Sequence, residues 1–274
     1  MPELPETETI ARDLDRMVRG AIIERVSVPR PDVLRDVTPQ ALARRLRGAA
    51  IERSWRRAKL VVVDLSTGDR LVVQPRFTGA LLVEPHFHGA GADYTTVALG
   101  LRDGRVLRYR DVRRLGTVAL MSPERFAAYT ATLGPEPLDP AFTASHLSGL
   151  LRGSRLAIKK AIMDQRRVAG IGNIYANESL WRARVDPSRE AGSLRAAEVA
   201  SLHAAVVGVL TEAIEARGTT FRDFRDAYGG QGGFASRLAA YGRGGEPCAR
   251  CAARLVATHA IDGRATVFCA RCQS

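Results

Sequence analysis

Hydrophobic and polar positions follow two different patterns along the chain. Positions 3–18 place Ile10, Leu14 and Val18 on one side at helical spacing, which predicts an amphipathic helix. From about position 21 to position 120, short runs rich in β-branched residues are separated by Gly, Asp and Pro turns, a pattern typical of a β-sandwich or barrel. The predicted strands are 22–28, 60–65, 70–74, 80–83, 95–101, 105–109 and 117–121.

The pattern changes after position 121. A short helix is predicted at 122–132, and the prolines at positions 135, 137 and 140 then interrupt helix formation, which places a domain boundary there. Beyond the boundary, helical periodicity predicts a mainly α-helical second domain, with helices at 144–151, 155–165, 174–184 and 195–216. Residues 226–245 contain seven glycines and no sustained apolar period, which predicts a mobile loop.

Composition narrows the class of protein. With 274 residues, 46% hydrophobic and 26% charged, the chain is long enough for roughly two domains and is neither disordered nor fibrous in character. Its apolar runs fall far short of the ~20 residues that a bilayer-spanning helix needs. Its first residues are acidic, unlike a secretory leader, so we expect a cytoplasmic protein with no membrane partner.

The charge balance points to a polyanionic partner. Against 29 Asp and Glu the chain has 41 Lys and Arg, and the net charge of +12 favours nucleic acid above other partners. Only three of these cations are lysines, Lys59, Lys159 and Lys160. Because lysine can lose its proton and arginine effectively cannot, Lys59 becomes a candidate for a chemical role.

The four cysteines form two pairs near the end of the sequence. Cys248-x2-Cys251 is followed, after 17 residues, by Cys269-x2-Cys272, which is a zinc-ribbon spacing. The intervening segment contains Asp262-Gly263, a hairpin turn signal. We therefore predict one structural Zn²⁺ ion on a β-hairpin finger. Two disulfides are the alternative, and a cytoplasmic location disfavours them.

The beginning of the chain has a second candidate chemistry. Removal of Met1 would leave Pro2 with a free secondary amine, and an α-amino group has a pKa of ~7.7–8.0 against ~10.4 for lysine. Such an amine can form a Schiff base at neutral pH. Glu3 and Glu6 lie close to it in sequence as acid–base candidates. The alternative is an ordinary helix start, with prolines and glutamates placed near the positive end of the helix dipole.

Several motifs in order along nearly the whole chain resemble the formamidopyrimidine-DNA glycosylase family. The opening Met1-Pro2-Glu3-Leu4-Pro5-Glu6 is the first of them, and the cysteine pairs are the last. Between them lie Arg57-Ala58-Lys59-Leu60, Tyr109-x-Asp111-x-Arg113-Arg114, the segment 164–178 with Gly170-Ile171-Gly172-Asn173, Gly218-Thr219-Thr220-x-Arg222-Asp223-Phe224, and Tyr241-Gly242-Arg243-x-Gly245.

The resemblance implies an α+β fold of two domains. It implies an N-terminal catalytic β-sandwich with an N-terminal helix at 1–133 and a linker at 134–150. A helix–two-turn–helix domain at 151–240 and a β-hairpin zinc finger at 241–274 would follow. The implied activity is a bifunctional DNA glycosylase and abasic-site lyase that removes oxidised purines from double-stranded DNA as a monomer, with base extrusion before chemistry.

Site residues also follow from the resemblance. Pro2 is the expected nucleophile, Glu3 the proton donor to the sugar and Glu6 its supporting carboxylate, while Lys59 and Arg264 assist at phosphates and in elimination. Expected DNA contacts come from Gln74, Arg113, Lys159 and Asn173. For Asn173 the residues themselves agree, because Gly170 and Gly172 allow close backbone approach to a phosphate at a helix N-terminus.

The wedge expected to fill the duplex after extrusion consists of Phe77, Arg113 and Leu115. Phe77 stands where the family usually has methionine and Leu115 where it has phenylalanine. Gln74 and Ala92 replace histidines, and the loop 226–233 matches in length the element that closes over 8-oxoguanine in relatives. The other hypotheses are an endonuclease VIII-like enzyme for oxidised pyrimidines and a non-catalytic DNA-binding protein.

Overall fold

The computed structural model describes residues 2–86 and 94–274. Within it the chain forms two compact units, one comprising residues 1–132 with 216–235 and the other 133–215 with 236–274. The segment 216–235 therefore corrects the predicted boundaries, which assigned it to the helical domain. The reason is physical: Phe224 and Ala227 are buried in the hydrophobic core of the first unit. Ala92 lies outside the described residues.

The first unit contains three helices and nine strands among the described residues. The helices are α1 (Leu4–Val18), α2 (Pro39–Leu46) and α3 (Pro123–Thr130), with a short 3-10 helix at Pro31–Val33. The strands are β1 (Ile23–Ser27), β2 (Leu34–Arg35), β3 (Ile51–Arg57), β4 (Leu60–Leu65), β5 (Arg70–Gln74), β6 (Gly79–Glu84), β7 (Thr95–Leu101), β8 (Val106–Asp111) and β9 (Thr117–Met121).

These strands form two sheets around one core. A four-stranded sheet has the order β1-β7-β8-β6, and a five-stranded sheet has the order β2-β9-β5-β4-β3, antiparallel except for the β2–β9 pair. Inward-facing side chains of both sheets, such as Leu99 and Val63, share a hydrophobic cluster with Ile10 and Leu14 of α1. Burial of this apolar stripe fixes α1 against β3, β4 and β6.

Among the described residues of this unit, four elements escaped the sequence-based prediction, namely the 3-10 helix at Pro31–Val33, β2, α2 and β3. In β3 only Ile51 and Ser54 are buried, and most other positions are charged, so the alternation of a half-buried strand is hidden. Its strand conformation depends on pairing with β4, in the register Arg57↔Leu60 to Ile51↔Leu65. The remaining seven strands lie within two residues of their predicted ends.

The second unit contains four helices and a hairpin. The helices are α4 (Ala144–Leu151), α5 (Ile158–Met163), α6 (Asn173–Ala183) and α7 (Ala196–Glu215), with a 3-10 turn at Ala191–Ser193 and another, Phe234–Arg237, where the chain enters this unit. The hairpin pairs β10 (Val256–Thr258) with β11 (Thr266–Phe268). The helix α7 is long and apolar enough to cross a membrane by length and composition alone. Its buried residues instead pack among α4 and α6, as in a core helix.

The segment 226–245 is held by more hydrogen bonds than a mobile loop would be. In the first unit, Asp226 accepts bonds from the amides of Tyr228 and Gly230, and Thr220 accepts one from the amide of Gly232. In the second unit, the buried Glu178 carboxylate accepts bonds from the three consecutive amides of residues 239–241. The absence of an apolar period is thus compensated by carboxylates that satisfy the backbone.

Candidate active site

The first turn of α1 places its carboxylates in the interior of the first unit. Glu3 and Glu6 are 2% and 1% exposed, and Pro2 is buried beside them. Glu6 accepts hydrogen bonds from the Glu3 amide at 2.8 Å and from the Thr219 amide at 2.7 Å. The first bond is part of a capping box, so helix capping explains one half of the role of Glu6. The second ties the turn to residue 219, which no local pattern predicts.

Gly218 has to be glycine next to this carboxylate. Its φ of +84° lies in the left-handed region, and a Cβ there would come within 2.9 Å of Glu6 Oε1. The Gly218-Thr219 motif therefore brings a backbone amide up to Glu6 at close range.

Lys59 occupies the turn between β3 and β4. The preceding residue, Ala58, has a φ of 52°. The Thr7 hydroxyl donates to the Glu3 carbonyl within α1 at 2.9 Å, and the Ala58 carbonyl oxygen lies 3.5 Å from it. Packing of α1 on β3 and β4 holds the turn between these strands close to the helix. Lys59 is only 9% exposed, which does not fit a solvated lysine at a strand end.

The three predicted wedge residues lie on two loops that one buried carboxylate holds together. Asp111 Oδ1 accepts a bond from the Thr78 hydroxyl at 2.6 Å, and Asp111 Oδ2 accepts one from the Gly116 amide at 2.8 Å. The Thr78 hydroxyl in turn accepts a bond from the Arg113 amide at 2.9 Å. The loop before β6 and the loop after β8 are thus joined by hydrogen bonds through Thr78 and Asp111. We identified Asp111 in the sequence only as part of a motif, without assigning it this role.

On these loops the side chains of the predicted wedge are accessible to solvent. Phe77 and Leu115 are 41% and 40% exposed, although both are large and apolar. The Arg113 guanidinium lies 4.8 Å from the centre of the Phe77 ring, and Phe77 has a φ of 43°, which is a strained conformation for a side chain of this size. Exposed apolar side chains on strained, buttressed loops are suited to insertion between bases.

Tyr109 is a further member of the hydrogen-bond network around Asp111. Its hydroxyl lies 3.2 Å from Asp111 Oδ2 and donates to it, and burial, together with the neighbouring Asp111 charge, raises the pKa of Tyr109 well above its ordinary value of 10.0. The tyrosine therefore remains a hydrogen-bond donor at all working pH values. Gly116 makes room for it, since a Cβ at position 116 would lie 1.8 Å from the Tyr109 oxygen.

Gln74 lies at the end of β5, opposite Thr117 in the sheet. Its side-chain oxygen accepts a bond from Arg76 at 3.2 Å, and the residue is half-buried. Gln74 and Arg76 line one groove with Arg35 and Arg125 on the five-stranded sheet. The position is compatible with a phosphate contact.

In the second unit, the glycine-containing turn before α6 is organised by Gln165. Its amide nitrogen donates to the carbonyl of Ile171 at 2.8 Å, and its oxygen accepts from the Gly170 amide at 2.9 Å. Asn173 is the first residue of α6, and Gly172 is its N-cap. The turn thus places the Asn173 side chain at the N-terminus of a helix, where the helix dipole favours a phosphate.

Lys159 corrects one prediction. We expected its ammonium to reach a phosphate, but Lys159 is 1% exposed and donates to the Ala265 carbonyl at 2.8 Å and to the Thr266 hydroxyl at 2.7 Å. With these two hydrogen bonds, the Lys159 ammonium positions the finger hairpin and is not directed toward solvent. Asn177 assists, because its side-chain oxygen accepts a bond from the Val267 amide at 2.7 Å.

Arg264 lies two residues before β11, the strand that Lys159 and Asn177 hold in place. It is half-exposed, and its closest acidic neighbour is Asp262 at 3.7 Å, which also pairs with Lys160 at 2.8 Å. Arg264, Lys160 and Arg166 line one groove beside α5. Three cations on one groove with two carboxylates leave it positive, which fits a phosphate. The sequence interpretation did not include Lys160 or Arg166 in this role.

The four cysteines converge as their spacing predicts. The Sγ atoms of Cys248, Cys251, Cys269 and Cys272 all lie within 4.8 Å of one another. A tetrahedral zinc ion with Zn–S distances of ~2.3 Å needs thiolates about 3.8 Å apart, so four sulfurs at this separation fit zinc. The cluster packs on Leu255, Val267 and Trp181, which gives the small finger its apolar support.

Together these features define a class of protein with a buried, acidic N-terminal site, a helix–two-turn–helix and a zinc finger. Three family models match: the formamidopyrimidine-DNA glycosylase N-terminal domain over residues 1–118, the formamidopyrimidine-DNA glycosylase H2TH domain over 133–225, and a zinc finger found in FPG and IleRS over 245–274. The chain belongs to the formamidopyrimidine-DNA glycosylase family.

Individual relatives match over the whole length. The formamidopyrimidine-DNA glycosylase of Thermomicrobium roseum is 44% identical over 289 residues, covering 100% of this chain and 99% of the relative. A Lactococcus lactis FPG mutant, solved with DNA containing Fapy-dG, has a TM-score of 0.93 and 30% identity, covering 100% of both chains. The wild-type Lactococcus lactis protein with oxidised-pyrimidine DNA has a TM-score of 0.91 and 30% identity over 100% of both. The predictions of family, fold class and one structural zinc are confirmed.

Proposed function

We propose that this protein is a bifunctional glycosylase and lyase that removes oxidised purines from double-stranded DNA in the cytoplasm and then cuts the strand. It acts in base excision repair as a monomer, with Pro2 as nucleophile. Support comes from family membership, from full-length similarity to a relative named for this activity, and from a neighbour solved on Fapy-dG DNA.

The proposed chemistry begins at the Pro2 nitrogen after removal of Met1. Its lone pair forms a bond to C1′ of the extruded nucleotide, and the glycosidic bond breaks with its electrons on the departing base, which takes up the proton that the Pro2 nitrogen loses. Glu3 supplies a proton to the sugar oxygen as the ring opens, which leaves an iminium ion. Loss of the C2′ proton then expels the 3′ phosphate. Loss of the C4′ proton expels the 5′ phosphate, with Lys59 and Arg264 as the assisting cations.

One observation carries the proposal: Glu3 and Glu6 are buried at the very start of the first helix. A helix start that served only to begin a helix would leave these carboxylates in water, where they interact with the dipole at little cost. Here the carboxylate of Glu6 receives two backbone amides, and Lys59 is buried in the turn between β3 and β4, the strands on which the same helix packs. Buried ionisable groups that cluster at one position are typical of a catalytic site.

The remaining predicted site residues are assigned to the wedge and to contacts with the DNA backbone. Phe77, Arg113 and Leu115 form the wedge; Gln74 lies on the first unit, and Asn173 and Arg264 lie on the second, as contacts to the DNA backbone. The loop 226–233 is proposed to close over the extruded base. Lys159 acts through the hairpin and does not itself contact DNA.

Borohydride trapping tests the nucleophile. With a confirmed free Pro2, we expect reduction in the presence of 8-oxoguanine duplex to give a covalent adduct that peptide mass spectrometry maps to Pro2. A matched protein with the N-terminus blocked should give none, and Pro2→Gly, which keeps a terminal amine, should retain part of the lyase activity. A protein with free Pro2 that cuts lesion DNA without any trapped adduct contradicts the mechanism.

The lesion class needs a separate test, because a close structural neighbour was solved on oxidised-pyrimidine DNA. Single-turnover excision of 8-oxoguanine, formamidopyrimidine and thymine glycol from otherwise identical duplexes compares the two classes. We expect the purine lesions to be removed faster. Faster removal of thymine glycol would favour the endonuclease VIII-like alternative.

A further inference from the structure

Arg217 connects two buried carboxylates in the first unit. Its Nη2 atom lies 2.6 Å from Asp13 Oδ2 on α1 and 2.6 Å from Asp226 Oδ2, and its Nε atom lies 3.1 Å from the same Asp226 oxygen. Asp13 is fully buried and Asp226 nearly so. Two buried carboxylates thus share one guanidinium, and without it they would repel each other at short range.

Arg217 is also the first residue of the loop 217–233 and lies at its neck, the place where the two ends of the loop meet. The Phe234 amide donates to the Gly218 carbonyl at 3.0 Å and the Gly233 amide to the Ala216 carbonyl at 2.8 Å, so the two ends of the loop are closed by backbone bonds. Asp226 lies within the loop and orders its tip, accepting the Tyr228 and Gly230 amides. The Arg217 side chain therefore links the tip to the neck and both to α1.

Backbone conformation at position 217 indicates that the side chain is needed there. Arg217 has a φ of 62°, in the left-handed region that glycine adopts without cost and other residues adopt at a cost. Gly218 follows with a φ of +84°. An arginine in this conformation is stabilised by the two carboxylates that receive its guanidinium, and a cation–π contact with Tyr228 at 5.9 Å adds to it.

We propose that Arg217 is a positioning residue for base excision, acting through Asp13 and Asp226 to hold the loop 226–233 in the arrangement that closes over the lesion base. This inference rests on the proposed function of that loop. The lyase step on an abasic site has no base to enclose. Arg217 should therefore matter for removal of the base and much less for cutting at a site that has already lost it.

The test uses two duplexes that differ only in the lesion, 8-oxoguanine in one and a pre-formed abasic site in the other. For Arg217→Ala we expect single-turnover excision of 8-oxoguanine to slow by about tenfold or more, with abasic-site cutting within about twofold of the wild type. Arg217→Lys, which keeps one cation, should recover part of the excision rate. Arg45→Ala, which removes a surface ion pair with Asp69 in the same unit, is the matched control.

A second variant guards against simple misfolding. Asp13→Ala with Arg217→Gly removes one buried carboxylate and the left-handed strain together, so the unit should stay folded while the link is lost. The same selective loss of excision is expected. Equal loss of both steps, or no loss of either, overturns the role of Arg217. A wild-type protein inactive on both duplexes would instead overturn the proposed function, and the inference with it.

Discussion

At the scale of single residues, the structure depends on buried carboxylates that accept hydrogen bonds from backbone amides. Glu6 receives two amides, Asp111 receives one amide and two hydroxyls, and Glu178 receives three amides. Each therefore joins segments that are distant in sequence. For Glu178, burial raises the pKa, while its three amide donors oppose that change. Removing any one of these carboxylates leaves buried N-H groups without an acceptor.

The first prediction concerns Glu6. Glu6→Ala should destabilise the first unit by roughly 1–3 kcal/mol for each of the two amides left unpaired, and Glu6→Gln should cost less because its oxygen can still accept. Urea unfolding measures the stability, and borohydride trapping measures the effect on the nucleophile. Glu24→Ala on the exposed face of β1 is the control and should change stability by less than about 0.5 kcal/mol. Equal stability of Glu6→Ala and the control would contradict the assignment.

At the scale of elements, short turns present the functional groups while helices and sheets hold the turns. Asp111 and Thr78 hold the loops that carry the proposed wedge residues, and Gln165 holds the turn before α6. In the finger, Lys159 and Asn177 hold the hairpin that carries Arg264. A contact residue and its supporting residue can therefore be tested separately.

Asn173 at the N-terminus of α6 provides the second prediction. Asn173→Ala should raise the Kd for lesion duplex by about tenfold, equivalent to one good hydrogen bond to a charged group, and leave the single-turnover rate on saturated enzyme nearly unchanged. Fluorescence anisotropy at fixed salt gives the Kd. A fall in the saturated rate as large as the loss of binding would place Asn173 in the chemistry instead.

The start of α7 provides a prediction about pH. Hydrogen bonds from Arg189 and then Arg195 hold the pKa of Glu198 well below its ordinary value of 4.5. A carboxylate with a lowered pKa in the folded state stabilises it fully above about pH 4.5 and loses that contribution as the pH falls further. Glu198→Gln should therefore be less stable than wild type at pH 7. The difference should shrink below pH 4.5 in unfolding curves measured from pH 7 to pH 3.

At the scale of the whole molecule, each unit carries one part of the expected function. The buried N-terminal site and the proposed wedge belong to the first unit, and the helix–two-turn–helix and the zinc finger belong to the second. The two tryptophans of the chain are divided in the same way, with Trp55 in β3 and Trp181 packed against the finger. Each unit thus has its own fluorescent reporter.

This division leads to a prediction about zinc removal. Chelation should unfold the finger, because the metal-bound thiolates supply most of its stability, and leave the first unit folded. The emission of Trp181, which Arg250 covers at 3.9 Å, should change in a Trp55→Phe variant. Trp55 emission in a Trp181→Phe variant should stay constant, and DNA binding should be lost. A simultaneous change at both tryptophans would contradict independent stability of the first unit.

The sequence by itself determined the features that depend on near neighbours. The period of α1, the spacing of the two cysteine pairs and the Gly170-Ile171-Gly172-Asn173 turn all lie within a few residues, where local geometry and side-chain type decide the outcome. Tertiary structure alone decided that Glu6 meets the Thr219 amide, 213 residues away, that Lys159 faces inward, and that Arg217 joins Asp13 to Asp226. These contacts depend on which distant segments pack together, and burial then selects the partners that satisfy each charge.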